Sequence, residues 1–331
     1  MAGYKGIEYL RRKLNQKAYR VCLRYKYYEM KNAVKDFNIS TPPGLRNWKS
    51  VLGWCGKAVD SLSDRLVFRE FSEDNFDLNE ISLMNNADVL YDSAVLSALI
   101  ASCCFIYICP DDVGYPRMQV IDGKNATGVI DTITGLLIEG YAVLERDDNN
   151  NPTLEAYFVA GRTDYYQKGE KNVKSFHNRA PYPLLVPIIY RPDAVGQFAQ
   201  QSMSPHMEQL RMFAALFAGE TGLTMDDLDF VSENPSSSEA IKASHENLRL
   251  TARKAQRTFG SGFLNAGYLA DCLRDGYPYE RRQFYLTKPK WEPVFEADAA
   301  ALSSYGDGTI KINQAIPEHI DGEKFRDITG I

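Results

Sequence analysis

One long helical stripe near the C-terminal third constrains the fold more than any other feature. Ile241, Leu248, Ala252, Ala255, Phe259, Phe263 and Ala266 recur at helical steps, so a long amphipathic helix is expected from Ser238 to about Leu273. Ser236 and Glu239 fit a capping box at its start, where the serine hydroxyl accepts from the third helical amide. A helix of that length buries its apolar face only against another layer of structure.

The chain supplies such layers on both sides of a β-rich block. At the N-terminus, Ile7, Leu10, Leu14, Ala18, Val21, Tyr25 and Tyr28 mark one helix, which the run Thr41-Pro42-Pro43-Gly44 breaks. Leu45, Trp48, Leu52, Cys55, Val59, Leu62 and Leu66 mark a second, and a third is expected over Asp88–Ser102. From Cys103 to about Tyr190 the pattern changes to short runs of Ile, Val, Tyr and Thr between turn residues. Leu136–Arg146 and Thr153–Ala160 flank Asp147–Pro152 as the arms of a β-hairpin. Regular turn spacing predicts an antiparallel meander packed on helices, an α+β chain.

Helix returns after Gly196, with Met203, Met207, Leu210, Phe213, Ala214 and Phe217 on one face and an end between Gly219 and Gly222. Lys290–Phe295 reads as extended, and two or three short helices broken by Gly306, Gly308 and Pro317 are expected to follow. Four regions result: residues 1–102, helical; 103–195, β-rich; 196–273, a helix, an acidic loop and the long helix; and 274–331. Plentiful Tyr and Phe, 20 and 16 of 331 residues, argue against extensive disorder.

Charge excludes some functions and suggests others. A net charge of −5 rules out a generally basic nucleic-acid coat, but residues 1–60 carry thirteen Lys and Arg against four acids, which points to a partner surface. Six cysteines without a CxxC pair predict a reducing compartment. Charges interrupt the opening MAGYKGIEYLRRK, so no signal peptide is expected, and the apolar stretch around Ala94–Cys109 is short of a membrane span. A soluble cytoplasmic chain is the expectation.

No catalytic constellation emerges. Phosphate-binding glycine loops are absent, and His177, His206, His245 and His319 are scattered without ligand spacing, so no enzyme, cofactor or metal is expected. Cys103 and Cys104 point to opposite faces of one strand and do not chelate. The acidic loop containing Thr224, Asp226, Asp227, Asp229, Ser232, Glu233 and Asn234 has carboxylates for a hard cation, but lacks the alternation and glycine of a calcium loop, which favours a solvated cap between helices. Asp147–Asn151 has the Asp and Asn of a turn. Lys242, Arg249, Arg253 and Arg257, joined by Lys254, line one face of the long helix. They suit phosphates, a neighbouring subunit's acids, or solvent. Tyr19, Tyr25, Tyr27 and Tyr28 among basic residues suit base stacking but are more simply core.

Several segments in sequence order resemble the portal (head–tail connector) proteins of long-tailed bacteriophages. They are Tyr27-Tyr28-Glu29-Met30-Lys31, Thr41-Pro42-Pro43-Gly44-Leu45-Arg46, and the run from Trp54 to Leu66 that holds Val59-Asp60-Ser61-Leu62-Ser63-Asp64-Arg65-Leu66. In the second half they are Gly219-Glu220-Thr221-Gly222-Leu223, Asn234–Ile241 and Lys290-Trp291-Glu292-Pro293-Val294-Phe295. Met30 stands where the family usually has glycine. The likeness extends over nearly the whole chain through the order and spacing of these motifs.

The resemblance implies a portal-like fold: residues 1–102 and 103–195 as the helical and antiparallel-β wing, and 196–273 as stem helix, tunnel loop and long helix. Residues 274–331 would supply the returning strand and a short helical crown. It further implies a homo-oligomeric ring, typically of twelve subunits, in the virion at a capsid vertex after assembly in host cytoplasm. Its channel passes double-stranded DNA without sequence specificity during packaging and ejection. Terminase large subunit, neck or adaptor proteins, and major capsid or scaffold proteins are the implied partners. Thr224, Asp226, Asp227, Asp229, Ser232, Glu233 and Asn234 would face DNA. Relatives carry a stem helix and clip domain where Val195 here runs directly into Gly196, so that segment is expected to be missing. The alternative is a general nucleic-acid-binding module that forms no ring.

Overall fold

The computed structural model describes residues 4–31, 52–170, 172–190, 206–228, 230, 245–295 and 299–329. The elements are α1 (Ile7–Tyr28), α2 (Trp54–Ser63), β1 (Phe68–Ser72), α3 (Leu78–Met84), α4 (Ala87–Ala101) and β2 (Cys103–Pro110). Then come β3 (Pro116–Asp122), β4 (Ala126–Ile130), β5 (Leu137–Arg146), β6 (Pro152–Val159), β7 (Arg162–Gln167), β8 (Lys174–His177) and β9 (Leu185–Ile189). The C-terminal part holds α5 (His206–Thr221), α6 (Glu246–Arg274), β10 (Lys288–Trp291), α7 (Ala299–Ala315) and α8 (Gly322–Thr329). The chain is α+β and its strand pairs are antiparallel, as the turn spacing predicts.

Two sheets replace the single expected meander. Strands β4-β5-β6-β7-β8 form one in sequence order, and β3-β2-β9 the other, with β9 returning to the far edge of β2. Alternation along β2 explains how they stack. Cys104, Ile106 and Ile108 enter a core with α4 and α6, while Phe105 and Tyr107 enter a second core with Leu137, Ala156 and Phe158 of the five-stranded sheet. Both faces of β2 are therefore buried, which is why its sequence is an unbroken apolar run. Cys103 and Cys104 do lie on opposite faces.

Helix α1 covers the outer face of the five-stranded sheet, with Leu10 and Leu14 against Tyr141, Val143, Tyr157 and Val159. Its entry is fixed by one buried acid. Glu139 Oε1 accepts from the Lys5 backbone N–H at 2.8 Å, and its Oε2 accepts from Gly6 N–H at 3.0 Å and the Tyr157 hydroxyl at 2.8 Å. The Lys31 N–H closes the far end onto Lys26 C=O at 2.7 Å, with Met30 left-handed between them at φ 57°. Glycine adopts that conformation without steric cost.

Helix α4, which the end of α1 also touches, and helix α6 lie over the three-stranded sheet, and the β1–β10 ribbon lies over them. Phe68 of β1 meets Tyr91 of α4 at 4.5 Å between ring centroids, and Tyr91 meets Phe263 of α6 at 4.3 Å. Trp291 of β10 closes the group against Phe68 at 5.7 Å. Rings of this kind each bury a large area, so this stack is the centre of the main core.

Several expectations are corrected. Helix α2 spans only Trp54–Ser63; of its expected stripe Leu62 and Leu66 are buried, Cys55 and Val59 are half-buried, Leu52 is exposed, and Leu66 follows a turn into β1. Tyr19 and Tyr27 are 75% and 46% exposed and do not belong to the core. Gly306 and Gly308 sit inside α7 without breaking it. Sequence periodicity missed β1 and α3. Asp74 explains why α3 starts where it does, since its carboxylate accepts from the N–H groups of Leu78 and Asn79 at 3.0 and 2.8 Å. Leu45, Trp48, Met203, the Ser236–Glu239 capping box, Ile241 and the 195–196 junction lie outside the described residues.

Candidate functional site

The long helix forms with its expected apolar stripe, Leu248, Ala252, Ala255, Phe259 and Phe263 being buried along one face, but it begins at Glu246 with His245 as a non-helical N-cap and does not run continuously from Ser238 as expected. Beside that stripe Arg253, Lys254 and Arg257 are exposed. Arg249 is removed from the basic array by its own helix: its guanidinium donates to both Glu246 carboxylate oxygens, at 2.7 and 2.5 Å. That hydrogen bond holds the Glu246 carboxyl below its ordinary range. Lys242 lies outside the described residues.

Arg253 and Arg257 open onto a groove of about 860 Å³ between α6 and β10. Leu250, Gln256, Ser261 and Leu264 of α6 form one wall; Arg281, Lys288, Pro289 and Trp291 form the other. The walls come close because Gly260 has no side chain. A Cβ there would sit 2.5 Å from Pro289 Cγ, so β10 rests directly on the helix backbone.

Among the described residues, Arg249, Arg274, Arg282 and Lys290 pair with acids, whereas Arg253, Arg257, Arg281 and Lys288 form no ion pair. Arg281 donates instead to the Asn265 side-chain carbonyl at 2.9 Å, and burial pushes its guanidinium below the ordinary value. Four cations that form no ion pair among the described residues, flanked by Leu250 and Trp291, suit anionic groups carried on an apolar support. The sequence supplied Arg253 and Arg257 but not the opposite wall. Arg281 and Lys288 are visible as basic residues, yet the turn after α6 folds Arg281 back onto Asn265, and Lys288 arrives on β10, which pairs with the distant β1.

The acidic loop behaves as a helix-linking turn in its described part. Asp226–Leu228 is one turn of 3-10 helix, with Leu223 and Leu228 buried beneath it. Asp227 Oδ2 accepts from the Thr224 N–H at 2.8 Å and from its hydroxyl at 2.9 Å, and lies 3.7 Å from His245 Nδ1. Asp226 is exposed. Asp229, Ser232, Glu233 and Asn234 lie outside the described residues. At Asp147 the carboxylate accepts from the Asn151 N–H at 2.8 Å, the geometry of a hairpin turn.

Among the described residues, no three His, Cys, Asp or Glu side chains converge to hold a metal ion, and no helix is long and apolar enough to cross a membrane. Comparison with models of protein families and with curated proteins finds no match to this chain.

Proposed function

We propose that this chain is a portal-type ring subunit, a structural component of a DNA passage. The observation that carries the reading is apolar surface left open on the C-terminal helices. Met212, Phe213 and Leu216 of α5 are 38–43% exposed, and Ile310 and Ile312 of α7, with Ile316 just beyond its end, are 42–58% exposed. Helices that leave such side chains in water belong to a chain that buries them against a partner. The order of the portal-like segments supports the same reading. Met30 adds to it, because its left-handed backbone occupies the position where those relatives have glycine.

In this reading the wing is built from the sheets with α1, α4 and α6, and Asp226 leads into the loop that faces double-stranded DNA. Acidic contacts let a phosphate backbone slide, whereas a basic lining would hold it. The stem and clip are missing at the Val195–Gly196 junction, and terminase and neck proteins dock on the finished ring. Particle mass and negative-stain images of the purified chain test the proposal. Rings of uniform subunit number are expected; a monomer at all concentrations overturns it. One observation favours the runner-up, a nucleic-acid-binding module: the four unpaired cations of the groove. That reading requires a monomer retained on DNA at moderate salt.

A further inference from the structure

Two helices of this chain expose like charges one turn apart, and the signs are opposite. Arg253 and Arg257 stand at i and i+4 on α6; Asp88 and Asp92 stand at i and i+4 on α4. All four are exposed, and none takes part in an ion pair among the described residues. Like charges at this spacing disfavour a helix by a few tenths of a kcal/mol. Each pair spans about 6 Å along its axis, so two such helices laid side by side bring both arginines opposite both aspartates.

The apolar surroundings match as well. Leu250 is 53% exposed beside Arg253, and Val89 is 69% exposed between the two aspartates. Leu83 and Met84, 74% and 51% exposed, extend the acidic edge at the α3–α4 corner, where Glu80 adds a further carboxylate. Phosphates would satisfy the arginines but leave Leu250 and Trp291 uncovered; a mixed acidic and apolar helix edge covers both.

Helix α4 packs chiefly on β2 and β3, and the middle of α6 packs beside it, with Gly262 against Ile188 of β9 and Phe259 stacked on Tyr190. Among the described residues none of the four charges forms an ion pair within its own chain, so the two oppositely charged helix edges are left to meet between copies.

We infer that the α4 edge of one copy docks in the α6–β10 groove of the next, with Asp88 and Asp92 facing Arg253 and Arg257 and Val89 beside Leu250. The contact is head-to-tail and joins different surfaces of identical chains, the type that closes into rings. It deepens the ring reading and rests on it.

The test uses full-length chain measured by mass photometry across a dilution series. R253E/R257E alone and D88K/D92K alone each raise the concentration for half-assembly at least tenfold. An equimolar mixture reassembles, because every interface in an alternating ring again joins opposite charges. The neutral R253Q/R257Q weakens assembly less than R253E/R257E and serves if the reversed variant does not fold. Wild-type-like assembly of either reversed variant overturns the inference, and so does a mixture that stays dissociated. If R253E/R257E assembles normally and instead loses retention on DNA, the groove takes phosphates and not a second copy. If the wild type never assembles, the ring reading itself fails, an outcome distinct from the others.

Discussion

Asp271 places a pH-dependent weakness in the main core. It lies near the end of α6, fully buried, with one oxygen accepting from Arg274 Nη2 at 2.6 Å and the other without a partner. Burial dominates the Arg274 attraction, and Asp275, Asp74 and Asp77 add negative potential, so the carboxyl is pushed up to about 7 from an ordinary 3.8. In the unfolded chain it ionises near pH 4, whereas in the folded chain it holds its proton to about pH 7. Between those values the native state binds more protons than the unfolded state, so this group's contribution falls as pH rises through the window and is flat above it. At about 1.4 kcal/mol per pH unit, the gap sets a ceiling of roughly 4 kcal/mol lost between pH 4 and pH 7. Relaxation around the charge reduces that ceiling, and about 2 kcal/mol is the working expectation. Asp271→Asn removes the titration and leaves Arg274 its second partner, Asp275, at 2.9 Å. Urea unfolding of both proteins at pH 5 and pH 8 should show the variant gaining about 2 kcal/mol on the wild type between the two. Comparing the two pH values cancels any fixed cost of the amide. An unchanged wild-type–variant difference refutes the reasoning, as does direct titration of Asp271 below pH 5 by NMR.

Three further substitutions probe the supports of the fold. Gly260→Ala forces a methyl group into Pro289 and should cost about 1–3 kcal/mol, with faster amide exchange in β1 and β10. Glu139→Ala leaves the Lys5 and Gly6 N–H groups and the Tyr157 hydroxyl without their acceptor, and should cost about 2–3 kcal/mol by thermal melts, with exchange rising first in α1. Met30→Gly relieves a left-handed residue and should stabilise by about 0.5–1 kcal/mol; a loss of stability would show that the Met30 sulfur packed over Gly53 outweighs the backbone term.

Much of the local structure is written in the sequence because it depends on near neighbours. The stripe from Leu248 to Phe263 gives α6 its buried face, and Asp147–Pro152 turns β5 into β6. Alternation along Cys103–Cys109 fixes which side chains enter which core, and the break after α4 follows from residues on either side of Ser102. Periodicity is informative there because a helix or hairpin repeats over three to ten residues.

Tertiary structure alone decided what those elements meet. Strand β1 is a five-residue segment whose partner, β10, lies more than two hundred positions away, and no local pattern announces the pairing. One wall of the groove depends on it, since Lys288, Pro289 and Trp291 face Arg253 and Arg257 only where β10 crosses α6 at Gly260. The stripe of basic residues also changed composition in three dimensions: Glu246 neutralises Arg249, while Arg253 and Arg257 gain an opposite wall. Tyr19 and Tyr27 look like core by spacing but face water, because α1 buries one side, against the five-stranded sheet at its start and against α4 and α2 at its end, and these tyrosines lie on the other side. Long-range pairing and the width of a buried face arise from contacts between distant segments, which is why the sequence could place the helix but not the groove.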